Sequence, residues 1–101
     1  MEIYVCDEMK KLRKWLDEQK IYWWDDSDDL NFVSVDYQIC RTKFEIGPYF
    51  FSIINGFGTY GGIPHHGSVN RGLLEMMKPN GRVIGFLTAE DCIEKIKKHM
   101  E

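Results

Sequence analysis

The stretch Asn31-Phe-Val-Ser-Val-Asp-Tyr-Gln-Ile-Cys-Arg-Thr-Lys-Phe-Glu-Ile-Gly-Pro-Tyr-Phe-Phe-Ser-Ile-Ile54 decides the fold class. From Asn31 the apolar period is two. Val33, Val35, Tyr37 and Ile39 point one way, Ser34, Asp36, Gln38 and Cys40 the other, and Phe44 and Ile46 continue the alternation. Side chains that alternate across a chain mark a half-buried strand. Gly47-Pro48 is a turn signal, and Tyr49 to Ile54 reads as a strongly apolar return strand. Further on, Leu73–Met77 and Arg82–Leu87 flank Lys78-Pro-Asn-Gly81. Asn-Gly tolerates the positive φ of a tight turn, which predicts a second hairpin. Leu73–Met77 by itself is also compatible with one helical turn.

Helices are expected at both ends. Residues 2–5 alternate as a short strand. Asp7 then stands where a cap would, ahead of a helix to about Lys20 with Met9, Leu12, Trp15 and Leu16 on one stripe. Lys10, Lys11, Arg13 and Lys14 fall mostly off that stripe, as a solvated face would. Ile21–Trp24 reads as a strand in which one of Trp23 and Trp24 faces inward and the other outward, and Asp25-Asp-Ser-Asp-Asp29 breaks it as a solvated acidic turn. At the other end Thr88 and Asp91 have capping-box spacing, followed by the stripe Ala89, Cys92, Ile93, Ile96 and Met100. The expectation is an α+β fold within one domain, residues 1–101: an antiparallel β-meander of about four or five strands, with an N-terminal and a C-terminal helix packed on one face.

Composition narrows the function classes. The chain has 101 residues, 44% hydrophobic and 14% aromatic, enough to build a core. Its net charge of −3 and scattered cations speak against ordinary nucleic-acid binding. No apolar run reaches the roughly 18 residues of a membrane span, and the N-terminus lacks a signal-peptide pattern, so a cytoplasmic protein is expected. Cys6, Cys40 and Cys92, an odd number without close pairs, read as reduced core thiols.

Six of the nine glycines lie in Asn55-Gly-Phe-Gly-Thr-Tyr-Gly-Gly-Ile-Pro-His-His-Gly-Ser-Val-Asn-Arg-Gly72. Gly56–Gly61 spells G-x-G-x-x-G after a strand, but no helix can start cleanly at Gly62-Ile-Pro, and no acidic residue follows about 20 positions on. Neither a dinucleotide fold nor a kinase fits the length. A glycine-rich turn can still present backbone N–H groups to an anion, and Tyr60 or Phe57 could stack on a ring. The candidate ligand- or partner-binding residues are Asn55, Gly56, Gly58, Thr59, Tyr60, His65, His66, Asn70 and Arg71, set against the alternative that the segment is a purely structural loop. Adjacent His65 and His66 point to opposite sides of an extended chain, and no spaced ligand set completes a metal site. The acidic run does not fit a calcium loop, having Leu30 at the sixth position and Asp36 at the twelfth. No catalytic residue, metal or cofactor is assigned.

The segments Cys40-Arg-Thr-Lys-Phe44, Phe51–Gly62, Gly72-Leu-Leu-Glu-Met76 and Gly85–Ile93 make the chain similar to small uncharacterised proteins encoded by bacterial phages and prophages. That resemblance implies a context in which small proteins act by binding and some counter host defence; it implies no mechanism. The expected function is therefore a non-enzymatic binding protein, plausible as a phage-type accessory or counter-defence factor, that takes a small anionic, nucleotide-like ligand or a host protein through residues 55–72. The alternatives are a small hydrolase or transferase using His65 or His66, and an acidic DNA-mimic inhibitor centred on Asp25–Asp29. The aromatic content leaves a homodimer open.

Overall fold

The computed structural model describes residues 3–28, 38–64 and 69–100. Among these the elements run α1 (Asp7–Glu18), β1 (Trp23–Asp25), β2 (Ile39–Ile46), β3 (Tyr49–Gly56), β4 (Leu74–Met77), β5 (Val83–Leu87) and α2 (Ala89–Lys97). The five strands form one sheet in the order β1-β2-β3-β4-β5, every neighbour antiparallel. This is the expected α+β meander with a helix before and after it.

The β2–β3 register sets the two faces. Cys40, Thr42 and Phe44 lie opposite Asn55, Ile53 and Phe51, and all six are buried. Leu74, Met76 and Leu87 extend this face, which receives Met9, Leu12 and Leu16 of α1 and Ala89, Cys92 and Ile96 of α2. Phe44 and Phe51 stack across the two strands, with ring centroids 5.1 Å apart. Alternation sends Arg41, Lys43, Phe50 and Glu75 to the opposite face, which no described helix covers. Burying one such aliphatic or aromatic side chain contributes roughly 1.5–3 kcal/mol, and both helices place their apolar stripes on the same sheet face.

Several expectations are corrected in detail. Ile39 is half-buried and lies on the parity opposite to the core; the inward set is Cys40, Thr42 and Phe44, since Arg41 and Lys43 cannot enter an apolar layer unpaired. Val33, Val35 and Tyr37 lie outside the described residues. Ile53 and Ile96 are fully buried, and Ile93 packs against the core from its edge. Residues 3–5 are not a strand; the Tyr4 N–H donates instead to the Gln38 side chain. Asp7 is the first residue inside α1, not its cap. The cap is Cys6, which has extended backbone and no side-chain capping bond. The strand reading of Leu73–Met77 holds as β4, Leu74–Met77, and the alternative of a helical turn does not.

The strand expected at Ile21–Trp24 is Trp23–Asp25, so Asp25 belongs to it and does not break it; the inward–outward split of the two tryptophans holds. Trp23 faces the helices and Trp24 the open side, where it stacks with Tyr22 at 6.2 Å and meets Phe50 at 6.3 Å. At Lys78–Gly81 the chain turns with Gly81 at φ +85° and its N–H donating to the Lys78 carbonyl, and the Lys78 N–H donates to the Arg82 carbonyl, closing the hairpin. Thr88 and Asp91 form the complete capping box of α2.

Two polar links fix α1, one to α2 and one to the sheet. Glu8 of α1 accepts from the first N–H of α2, Ala89, at 2.8 Å, and also pairs with Lys11 at 2.9 Å. The Ala89 N–H, then Lys11, hold the Glu8 carboxyl below its ordinary value. Arg13 does not lie on a solvated face. It reaches Thr42 and the Cys40 sulfur on β2, stacks over Trp23 at 4.6 Å and approaches Asp25 at 3.7 Å.

Candidate functional site

Gly56 ends β3, and the chain then folds back on itself as far as Ile63. The Gly58 N–H donates to Ile63 and the Ile63 N–H to Gly56. The Thr59 hydroxyl sits inside this loop, donating to the Gly56 carbonyl at 2.8 Å and accepting from the Gly56 N–H at 3.0 Å. Glycine is required here by space. A Cβ at Gly62 would come within 2.2 Å of the Thr59 oxygen and 2.3 Å of the Gly56 carbonyl, and one at Gly56 within 2.2 Å of the Gln38 carbonyl.

The far end of the segment is tied to its beginning. Asn55, 1% exposed, donates to the Asn70 side-chain oxygen at 3.0 Å and to the Leu73 carbonyl at 2.8 Å, while Asn70 donates back to the Asn55 oxygen at 2.7 Å. The Asn70 oxygen also accepts from the Gly72 N–H. Both amides are thus consumed in holding residue 70 against the end of β3, which fixes where Arg71 emerges.

Gly58, Thr59, Tyr60, Gly61, Gly62, Pro64, Arg71 and Phe86 line a recess of about 310 Å³. This is the low end of the roughly 300–1,000 Å³ range of small-molecule sites. Tyr60 is 61% exposed and Phe86 54%, and their ring centroids are 6.4 Å apart. Arg71 is exposed, and its guanidinium makes no ion pair or hydrogen bond with any described residue. Among the described residues the lining contains one cation and no carboxylate.

The structure therefore divides the nine candidates. Gly58, Thr59, Tyr60 and Arg71 line the recess. Asn55, Gly56 and Asn70 build it from behind. His65 and His66 lie outside the described residues. The expected cradle of free backbone donors is corrected: the N–H groups of Gly56, Phe57, Gly58, Thr59, Tyr60, Gly62 and Ile63 all have partners within the protein. What remains to meet a ligand is side-chain chemistry, the Arg71 guanidinium and the rings of Tyr60 and Phe86. Phe86 belongs to this set and was not among the sequence candidates. The one signal for it was Gly85, a glycine inside an apolar strand, which marks a bulge or a close approach.

The acidic turn is also not a bare patch. Asp26 pairs with Lys43 at 2.5 Å, Asp28 with Arg41 at 2.9 Å, and Asp25 approaches Arg13. Lys43 holds the Asp26 carboxyl below its ordinary value. Asp29 lies outside the described residues. Among the described residues no group of three or more His, Cys, Asp or Glu side chains is placed to hold a metal. Cys6, Cys40 and Cys92 are buried and unpaired, and burial pushes each thiol up, Cys92 to about 12. No described helix is long and apolar enough to cross a membrane.

Comparison with protein-family models, with curated proteins and with solved structures gave no match.

Proposed function

We propose that this chain is a non-enzymatic cytoplasmic binding protein that takes a small anionic ligand in the recess between the 58–62 turn, Arg71 and Phe86. One observation carries the reading. Arg13 and Arg41 spend their guanidinium groups on the fold, whereas Arg71, anchored by its neighbour Asn70, lines the recess as a cation with no partner among the described residues, and no described lining residue is acidic. A charge-assisted hydrogen bond from such a group to a carboxylate or phosphate contributes roughly 1.5–3 kcal/mol. The similarity to small phage proteins supports a role in sequestering such a ligand, as a counter-defence factor would. The ion-paired state of Asp25, Asp26 and Asp28 favours this reading over acidic mimicry of DNA, which needs carboxylates free to face a partner.

The test is calorimetric titration of phosphate-bearing small molecules into the parent protein and Arg71→Ala, with thermal melts alongside. Arg71→Ala should weaken binding about tenfold or more and change stability by under about 1 kcal/mol, as expected at an exposed site. Equal affinity in the two proteins would leave the segment as architecture. Tyr60 and Phe86 could equally anchor a host protein, in which case pull-down from host lysate would depend on the same three side chains while the small molecules would give no heat.

A further inference from the structure

With Lys20, Phe86 is one of two described non-glycine residues with positive φ. Its φ is +58°, in the left-handed region that bulky side chains avoid. It sits in a bulge: Leu74 pairs with Leu87 and Met76 with Ile84, so Gly85 and Phe86 together face Glu75 alone. The bulge grips Tyr60 from two sides. The Phe86 N–H donates to the Tyr60 carbonyl at 3.0 Å, and the Glu75 carboxylate accepts from the Tyr60 N–H at 2.9 Å. Tyr60 lies directly over Gly85, where an added Cβ would come within 2.1 Å of the Tyr60 Cβ. Backbone held in a sparsely populated region at a recess is where strain tends to serve function. Here the bulge turns the Phe86 ring out beside Tyr60 instead of leaving it in the strand's alternation.

We infer that Tyr60 and Phe86 form an aromatic clamp for a flat ring, so that the ligand of this site is a nucleoside monophosphate: a base between the two rings and a phosphate on Arg71. The inference rests on the anionic-ligand reading of the same recess and adds its ring. Two rings that sandwich a third stand about 7 Å apart, twice the carbon–carbon contact distance of roughly 3.5 Å. The clamp rings are 6.4 Å apart and tilted by 37°, too close to hold a base as they stand but near enough that a small side-chain rotation admits one. Both rings are more than half exposed and so free to make that rotation. The volume suits one base and one phosphate better than a dinucleotide.

The test compares inorganic phosphate, ribose 5-phosphate, adenosine and adenosine 5′-monophosphate by calorimetry at one fixed salt concentration. The parent should bind the monophosphate roughly tenfold or more tightly than ribose 5-phosphate, the contribution of stacking one base on aromatic side chains. Phe86→Asn removes the ring but keeps a residue that tolerates the left-handed backbone, and thermal melting should show it folded. In Phe86→Asn and Tyr60→Ala the preference for the monophosphate over ribose 5-phosphate should collapse to about one. In Arg71→Ala both ligands should weaken together with their ratio intact. Equal binding of ribose 5-phosphate and the monophosphate by the parent would overturn the clamp and leave the anion site standing. Equal binding of adenosine and the monophosphate, unaffected by Arg71→Ala, would overturn the anion site instead. No binding of any of the four at millimolar concentration would overturn both.

Discussion

Arg13 Nε donates to the Thr42 hydroxyl at 2.8 Å, a bond that joins α1 to the centre of the sheet. Thr42 is fully buried, and its hydroxyl donates in turn to the Met9 sulfur at 3.2 Å. Without Arg13 the buried Thr42 oxygen loses its donor and keeps only the weak bond to sulfur, a loss of about 1–3 kcal/mol, so Arg13 supports the layer as much as it decorates the helix. Arg13→Ala should destabilise the protein by about 2 kcal/mol in urea unfolding, and Arg13→Lys should not restore it, since lysine lacks the planar fork that serves Thr42, Cys40 and Trp23 together. Arg13→Ala combined with Thr42→Val should cost less than the sum of the single changes; strict additivity would show that the two residues act independently.

The Asn55–Asn70 amide pair predicts a local effect of a different kind. Asn70→Ala leaves buried Asn55 short of a partner, and stability should fall by about 1–3 kcal/mol. Limited proteolysis should then cut within residues 56–64 and 69–72 faster than in the parent. Unchanged cleavage would mean that the pair does not hold the segment closed.

The glycines should separate into two classes on substitution by alanine. Gly47, Gly72 and Gly81 have positive φ and nothing within 4 Å of an added Cβ, so each change should cost only about 1 kcal/mol of backbone strain. Gly62→Ala meets backbone at 2.3 Å and should cost several times more, through overpacking. Chemical denaturation of the four variants measures the contrast, and a Gly62→Ala as mild as Gly81→Ala would contradict the packing of the loop.

Three carboxylates set an acid limit. Glu8 is held low by the Ala89 N–H, Asp26 by Lys43 and Asp91 by the Thr88 capping bonds. A carboxyl depressed in the folded state binds protons more readily when unfolded. Its contribution is therefore present above the ordinary values of 4.5 for Glu and 3.8 for Asp, and is lost as pH falls through the lower folded values. Melting temperature should hold from pH 7 to about 5 and decline below it. Glu8→Gln should flatten part of that decline, and an identical pH profile would remove Glu8 from the account.

The thiols give a kinetic test. Cys6, Cys40 and Cys92 are each 1% exposed or less and shifted toward the unreactive thiol form. A thiol reagent at pH 8 should find almost none in the native protein and three after denaturation. Rapid native labelling of any of them would show that its side of the core opens readily.

Much of this protein follows from short-range pattern. The α2 capping box, the stripe Met9, Leu12, Leu16, the Lys78–Gly81 turn and the antiparallel meander were legible because each depends on residues a few positions apart. The recess was half legible: glycine density located the 58–62 turn together with Tyr60 and Arg71. Tertiary structure decided what local pattern could not carry. Arg13 and Thr42 are 29 residues apart and Glu8 and Ala89 81 apart, so their bonds exist only once the helices dock. Which parity of β2 faces inward was decided by where Arg41 and Lys43 find carboxylates. Phe86 joined the site because a bulge against Glu75 and a bond to Tyr60 hold it in a backbone conformation that its own side chain disfavours. A sequence records local preference; tertiary contacts, here the hydrogen bonds around Tyr60 and Phe86, hold a residue against it.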